Sequence, residues 1–451
     1  MDKKIEDFVR GLHLDAYLVG GAVRDELLGL ESAKDADFVV PGVDYEGLRA
    51  ALEPHGKVEE LEVAGRRVGA RLHLRDRKLR LLAPAGIEFA PPRAERSTGP
   101  GRHDFEIVAD PELSIEDDMG RRDFTVNAMA RRLETGELVD PFGGQADLKN
   151  GVLRTVRPRS FAEDPLRLVR GLRLVSQLGL EPDAETLQQM RDEAASVALV
   201  SGERVGGGIG ADGMGELSKL LLGAEPARAL RLARDTGVLV ALLPEFEQAI
   251  GFEQSSERQH LPLDEHTFAV VQAAADAGAP LGVRLGALFH DLGKPTANGK
   301  HPERGAKLAA TAMRRLRYPT NLRTYVTRLV SAHAFPLDHV DELFARRMLR
   351  VYGDELAFDL VAHKEADLRG KRVQQSELDA VSRLRGLLEQ ERVQPHRLAD
   401  LAVDGSDLIA LGYSEGPELG AALDALLDAV VDDPELNTRD QLLERAGAQL
   451  P

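Results

Sequence analysis

Residues Tyr17 to Val40 read Y-L-V-G-G-A-V-R-D-E-L-L-G-L-E-S-A-K-D-A-D-F-V-V, and the pattern decides the fold around them. Tyr17, Leu18 and Val19 form a short apolar run, which Gly20 and Gly21 break. From Ala22 the period changes: Val23, Leu27 and Leu28 share one helical face, while Arg24, Asp25 and Glu26 fall elsewhere. A second strand follows, carrying Asp35 and Asp37. The expected order is strand, glycine turn, helix, strand. Residues two apart on a strand share a face, so the two carboxylates stand side by side. Unpaired, they repel, and one tends to hold its proton. A hard divalent cation removes the conflict, and Mg²⁺ suits one or two carboxylates together with substrate phosphates. The glycine turn presents backbone N–H groups at a helix start, where a triphosphate can sit close to the chain. Arg24 adds a fixed positive charge.

A lone G-G is most often a turn, and a lone D-x-D a solvated edge. Together, at this spacing, they resemble the signature of the polymerase-β-type nucleotidyltransferases. The wider string, G-G-A-V-R-D-x-L-L-G and then K-D-x-D, resembles the class II tRNA nucleotidyltransferases, the CCA-adding enzymes, and their bacterial poly(A) polymerase relatives. The resemblance implies an α+β chain. A small head with a mostly antiparallel sheet would span residues 1–150, followed by an all-α neck (151–222), body (223–400) and tail (401–451). It also implies template-independent addition of C, C and A to tRNA 3′ ends from CTP and ATP, with Asp35 and Asp37 holding two Mg²⁺ ions.

Composition sets bounds on this. The chain has 451 residues, enough for two to four domains, with 43% apolar and 29% charged residues, as in ordinary globular proteins. It has no cysteine, which excludes disulfides, thiol catalysis and thiolate zinc sites and fits a cytoplasmic protein. Asp2, Glu6 and Asp7 interrupt the start where a signal peptide would need an apolar run, and no segment reads as a membrane span. The net charge is −17, so an RNA-binding surface requires segregated charge. Arg66, Arg67, Arg71, Arg75, Arg77, Lys78 and Arg80 crowd one stretch, a second basic series runs from Arg154 to Arg173, and acids collect after Leu401.

Along the head, residues 1–16 read as a short helix, and 41–60 as a helix capped by Asp44. Residues 61–90 read as strands, from Val68, Ala70, Leu72 and Leu74 to Leu79 and Leu81. Glu88 then stands as a third carboxylate on a neighbouring strand, with Ile87 and Phe89 on the opposite face. Residues 93–112 show no period and read as a mobile loop. The string R-R-D-F-T-V-N-A that follows matches the family again, where it forms a helix beside the nucleotide. By resemblance Arg122 contacts the triphosphate, and Asp123 and Asn127, four apart on one helical face, support the ribose and the nearby backbone.

D-P-F-G-G at Asp140–Gly144 is a turn that closes the head. From Pro165 the pattern is helical, with Leu166, Val169, Leu172 and Val175 inward and Arg167, Arg170 and Arg173 at every third position. Asp164 and Arg167 sit three apart at the helix start, where their side chains can meet. Such a pair is either a local cap or a protein template for a base. A carboxylate accepts from an exocyclic amine and a guanidinium donates to ring acceptors. That favours cytosine and adenine, and leaves buried groups unpaired against uracil and guanine. By resemblance Asp164 and Arg167 read the base, and Arg170 and Arg173 line the same pocket. One departure from the family follows: Ser201-Gly202-Glu203-Arg204 runs into V-G-G-G-I-G-A-D-G-M-G, too rich in glycine for a helix.

A second constellation lies further on: His266, His290 with Asp291 in H-D-L-G-K-P, His301, His333 and Asp367. It resembles the HD metal-dependent phosphohydrolase domain. The resemblance implies a divalent metal on His266, His290, Asp291 and Asp367, with Lys294 as a phosphate contact. A metal-free set of capping histidines stays open as the alternative. In the tail, Asn437 is expected to cap the last helix, with Asp440 three residues on. The resemblance makes the tail the part that reaches the tRNA elbow. Rival functions also stay open: addition of CC or A alone, poly(A) synthesis, or an HD-type hydrolytic or RNA-binding protein with an inactive head. Oligomeric state is not legible.

Overall fold

A computed structural model describes residues 1–30, 37–63, 65–97, 105–207, 213–254, 260–296 and 299–448. The chain forms two compact units, Met1–Pro244 and Glu245–Pro451. No helix among the described residues is long and apolar enough to cross a membrane.

The first unit is built on a seven-stranded sheet. In chain order its strands are β1 (Tyr17–Val19), β2 (Asp37–Val39), β3 (Gly56–Val63), β4 (Arg66–Leu74) and β5 (Ile87–Ala90). Strands β6 (Arg93–Ser97) and β7 (Phe105–Ala109) form a separate hairpin, and β8 (Ala130–Arg132) and β9 (Leu138–Val139) complete the sheet. Its order is β3-β4-β5-β2-β1-β8-β9. Every neighbour pair is antiparallel except β2 and β5, which run parallel with Asp37 opposite Glu88. Leu18, Val19, Phe38, Val39, Ile87 and Phe89 are buried, and Phe38 and Phe89 stack at 5.4 Å. That burial fixes which face of the sheet Asp37 and Glu88 can occupy.

Helix α1 (Gly21–Leu27) leaves the first strand through Gly20, as the opening stretch predicts. Helix α2 (Ile115–Gly120) starts on a capping box made by Ser114 and Asp117. Helix α3 (Leu166–Leu178) buries Leu166, Val169, Leu172 and Val175, again as its periodicity predicts.

Several expectations need correction. The helix capped by Asp44 ends at Leu52, and β3 begins at Gly56, because the Lys57–Val63 run pairs with β4 along its length. Leu79 and Leu81 belong to a helix, Arg77–Leu82, started by the Asp76 side chain accepting from the backbone of Lys78 and Leu79. Residues 93–112 are largely the β6–β7 hairpin, whose five ladder pairs supply order that the side-chain pattern did not reveal. Asp123 and Asn127 lie beyond α2, on a turn that ends in a 3₁₀ segment, Thr125–Asn127, rather than on a helix. Past residue 150 the described chain is helical apart from a two-residue parallel pairing of Val152–Leu153 with Glu181–Pro182. Residues 203–207 after Ser201-Gly202 form a π-helical turn, and 208–212 lie outside the described residues.

The second unit is all helical. Its centre is formed by α4 (Leu263–Asp276), α5 (Leu281–Phe289), α6 (His301–Arg315), α7 (Thr320–Ala332) and α8 (Asp354–Arg369). Near its end Leu408, Tyr413, Leu426, Val430 and Leu442 make a separate small core. The expected cap on the last helix is also corrected: Thr438 holds that position. Asn437 instead ties two loop segments, accepting from the Ala402 N–H at 2.9 Å and donating to the Asp400 carbonyl at 2.9 Å.

Candidate active site in the first unit and a histidine centre in the second

The opening motif places Gly20 at a position only glycine takes comfortably, with φ +73°. A Cβ there would lie 2.6 Å from Arg122 Nη1. The turn therefore lets an arginine guanidinium approach the backbone. Gly20, Gly21, Arg24, Asp37, Arg122, Asp123, Asn127, Asp164, Arg167, Arg170 and Arg173 all line one cleft of about 710 Å³. Eight arginines and four aspartates line it, so the cleft suits an elongated polyanion. Asp37 is exposed at its edge and also faces a smaller cavity of about 270 Å³, shared with Glu88 and Arg71. Asp35 lies outside the described residues.

Glu88 is not an isolated carboxylate. Arg71 on β4, its register partner, pairs with it through Nη2 and also donates from Nε at 3.1 Å. The basic stretch around Arg66–Arg80 is thus partly neutralised, since Arg67 also pairs with Glu46 at 2.8 Å.

A buried chain of polar contacts links the glycine turn to α3. Arg24 Nη1 donates to Asn127 Oδ1 at 2.6 Å, and Asn127 Nδ2 donates to Asp123 Oδ1 at 3.0 Å. Arg170 Nε then donates to Asp123 Oδ2 at 2.7 Å. Burial alone would raise the Asp123 pKa, but the Arg170 charge and the hydrogen bonds from Asn127, Arg170 and the Phe124 N–H outweigh it and hold the carboxyl far below the usual range. A depressed folded pKa contributes stability above the unfolded value, and that stability is lost as pH falls. Stability should therefore decline as pH drops below about 4. Asp123→Asn should flatten that limb and cost about 2 kcal/mol at neutral pH. Urea melts of both proteins from pH 3 to pH 7 check this.

Asp164 and Arg167 line the same cleft. Asp164 accepts from the Leu166 N–H at 3.1 Å and pairs with Arg204 Nη2 at 2.9 Å. Arg167 is buried and donates to Ser160 Oγ at 3.0 Å and to the Arg121 carbonyl at 2.8 Å. Arg173 pairs with Glu216 at 2.6 Å.

Two residues in this region escaped sequence reasoning. Arg204 was visible in S-G-E-R but had no local partner to signal its role. Asp118 is fully buried and binds Arg121 Nη2 at 2.7 Å, Arg122 Nη2 at 3.1 Å and the Arg93 N–H at 3.2 Å. Burial opposes its charge, yet Arg121 and Arg122 dominate and lower its pKa. Asp118→Asn should weaken the hold on Arg121 and Arg122 and cost about 2 kcal/mol of stability at neutral pH, which urea melts of both proteins check.

In the second unit the helices bring all the predicted histidines and acids together. His266 on α4 and His290 after α5 are buried, with their Nε2 atoms 3.3 Å apart. Their Nδ1 atoms meet the carbonyls of Gly370 at 3.1 Å and Ala287 at 2.8 Å. Asp291 Oδ2 lies 3.4 Å from His266 Nε2 and 3.1 Å from His290 Nε2, and Asp367 Oδ1 lies 3.3 Å from His266 Nε2. Lys294 pairs with Asp291 at 2.5 Å and Lys371 with Asp367 at 2.8 Å. Burial opposes charge on His266, but Asp291 and Asp367 outweigh it and push its pKa up to about 9. His363 on α8 was missed. It is fully buried beside His290, and only proximity in the fold marks it.

Three stretches of the chain match known families. Residues 16–154 match the poly(A) polymerase head domain, 179–250 the RNA- and SrmB-binding site of polymerase A, and 305–446 the tRNA nucleotidyltransferase domain 2. The multifunctional CCA protein of Ralstonia nicotianae is 34% identical over 430 residues, covering 90% of this chain and 91% of the relative. That of Chromobacterium violaceum is 34% identical over 440 residues, covering 93% and 98%. Among solved structures, the Bacillus stearothermophilus CCA-adding enzyme in complex with CTP aligns with a TM-score of 0.69 at 24% identity, covering 99% of this chain and 96% of that one. The Thermotoga maritima CCA-adding enzyme complexed with tRNA aligns at 0.62 and 22%, covering 100% and 97%. At these identities the structural likeness carries the fold. An arginine-lined cleft beside a strand carboxylate, in a chain that matches the poly(A) polymerase head domain, fits a nucleotidyltransferase. The chain belongs to the class II CCA-adding tRNA nucleotidyltransferases, the family of the multifunctional CCA proteins.

Proposed function

We propose that this enzyme adds C, C and A to tRNA 3′ ends, taking CTP and ATP and releasing pyrophosphate. The observation that carries the reading is one cleft lined by the glycine turn, Asp37, Asp164 and Arg167, in a chain collinear with multifunctional CCA proteins. We read residues 1–150 as head, 151–222 as neck, 223–400 as body and 401–451 as tail. We place the enzyme in the cytoplasm, a compartment that a cysteine-free chain fits.

The family depends on divalent metal. Asp37 fits such a cation: it is an exposed carboxylate facing two cavities, and its cross-strand partner is the carboxylate Glu88. An all-oxygen set suits Mg²⁺, the ion we favour, held by Asp35 and Asp37 with Glu88 alongside. The chemistry supplied there is activation of the terminal 3′-hydroxyl and neutralisation of the leaving pyrophosphate. Gly20 and Gly21 let the backbone approach the triphosphate, and Arg122 grips it. Arg24, Asn127, Asp123 and Arg170 hold that grip in register with the base-reading end. Asp164 accepts from the exocyclic amine of cytosine or adenine while Arg167 donates to the ring acceptors, with Arg173 at the pocket wall. Positioning and charge, rather than covalent chemistry, lower the barrier.

The test is incubation with tRNA lacking its 3′ end, supplied with CTP, ATP or both, with products resolved to one nucleotide. Addition of C, C and then A supports the reading. Stopping after two C, adding A only to CC ends, or extending long A tails would each replace it with a rival. In the second unit, His266, His290, Asp291 and Asp367 suit a divalent cation, because the Nδ1 contacts to carbonyls aim both Nε2 lone pairs inward. Metal analysis of the purified protein tests this second site.

A further inference from the structure

Charge is unevenly spread over the second unit. Residues 401–451 carry eleven Asp and Glu against two bases, Arg439 and Arg445, so that segment repels a polyanion. It also occupies cations nearby: Arg347 and Arg350 on the helix Glu342–Tyr352 pair with Asp432 and Asp424. Residues 300–328 are the opposite, with eight Lys and Arg and a single acid, Glu303. One of the eight, Arg315, pairs with Glu245. Arg304, Lys307, Arg314, Arg317, Arg323 and Arg328 make no ion pair with any described residue. Arg304, Lys307 and Arg314 are exposed and share one face of α6. At 1.5 Å per residue their stripe is about 15 Å long. The opposite face is the packed one, with Gly305, Ala309, Ala312 and Met313 buried.

We propose that the hairpin of α6 and α7 is the surface on which the second unit holds RNA, gripping the sugar–phosphate backbone of the tRNA without reading its sequence. The proposal rests on the CCA-addition reading, which supplies the polyanion, and it moves the grip away from the acidic tail that the family resemblance favoured. Two further observations support it. Arg317, exposed in the turn between the helices, has φ +59°, a left-handed conformation that glycine takes freely and arginine rarely. Among the described non-glycine residues only His13 shares it. A backbone cost kept at an exposed cation points to a use for its charge. The second observation is what the stripe lacks. No large exposed apolar side chain falls within 300–328. A protein partner or a lipid surface draws on apolar anchors, whereas phosphates need only cations free to meet them.

The test uses the full chain and tRNA lacking its 3′ end, with Kd measured across a series of salt concentrations. Lys307→Glu combined with Arg314→Glu should weaken binding by roughly 10² and lower the slope of log K against log salt by about 2. KM for CTP and ATP, and kcat at saturating tRNA, should not change. Arg317→Gly should melt no lower than the parent, because glycine suits that φ, and should still bind tRNA several-fold more weakly. Arg372→Glu combined with Arg383→Glu changes the same net charge at exposed positions elsewhere in the unit and should bind as the parent does. Equal weakening by that control would make the effect one of overall charge and overturn the proposal. Parent-like Kd and salt slope in the Lys307 and Arg314 variant would overturn it as well. Loss of binding to phosphatidylserine vesicles, with tRNA binding unchanged, would assign the face to a membrane instead. Addition of C, C and A by the parent is scored in the same samples. Binding through this face without addition would sink the proposed function alone, and addition with indifferent variants would sink this inference alone.

Discussion

Asp37→Ala should reduce nucleotide addition by on the order of 10³ or more in kcat, equally for CTP and ATP. Asp37 is exposed, at the first position of β2, and the sheet around it is held by Phe38, Val39 and Phe89. Its loss should therefore leave the fold and the thermal transition nearly unchanged, since exposed substitutions cost little. The measurement is single-turnover extension of tRNA lacking its 3′ end, with circular dichroism melts of both proteins. Residual addition within tenfold of the parent would remove Asp37 from the metal-holding role. A drop for only one nucleotide would also count against it, because a metal-holding role serves both nucleotides alike.

Asp164→Ala should behave differently. On the proposed reading it removes the acceptor for the exocyclic amine, so discrimination against UTP and GTP should fall by on the order of 10². KM for the triphosphate should change little, because the glycine turn and Arg122 remain. Arg204 loses its partner in the same substitution, and its guanidinium is then free to donate toward the carbonyl oxygens of uracil or guanine. Misincorporation assays with each nucleotide alone would show this. Equal loss for all four nucleotides without misincorporation would sink the idea of a protein template.

These predictions rest on residues of uneven legibility. The strand, turn and helix around Gly20 could be read because local pattern and tertiary role agree there. The 3.6-residue period of α3 likewise carried through to burial of Leu166, Val169, Leu172 and Val175. Leu79 and Leu81 misled because alternation over three residues fits a helical turn as well as a strand, and the Asp76 cap decided the outcome. The β6–β7 hairpin escaped because its order comes from backbone pairing, which leaves no period in the side chains. Within the site, the lining residues were legible as types, but their partners were not. Asp164 finds Arg204, forty residues away, and Arg71 finds Glu88 across a sheet register. His363 was illegible because nothing in its own helix distinguishes it from a packing position.

The run from Arg24 through Asn127 and Asp123 to Arg170 has a consequence for accuracy. On the proposed reading, such a strut would make the two ends of an incoming nucleotide answer to each other. If the residues act as proposed, a wrong base that tilted α3 would tug on the grip around the phosphates and react slowly instead of being removed afterwards. Fidelity on this view is built into the rate of joining, and weakening any link of the strut should make the enzyme both slower and more forgiving.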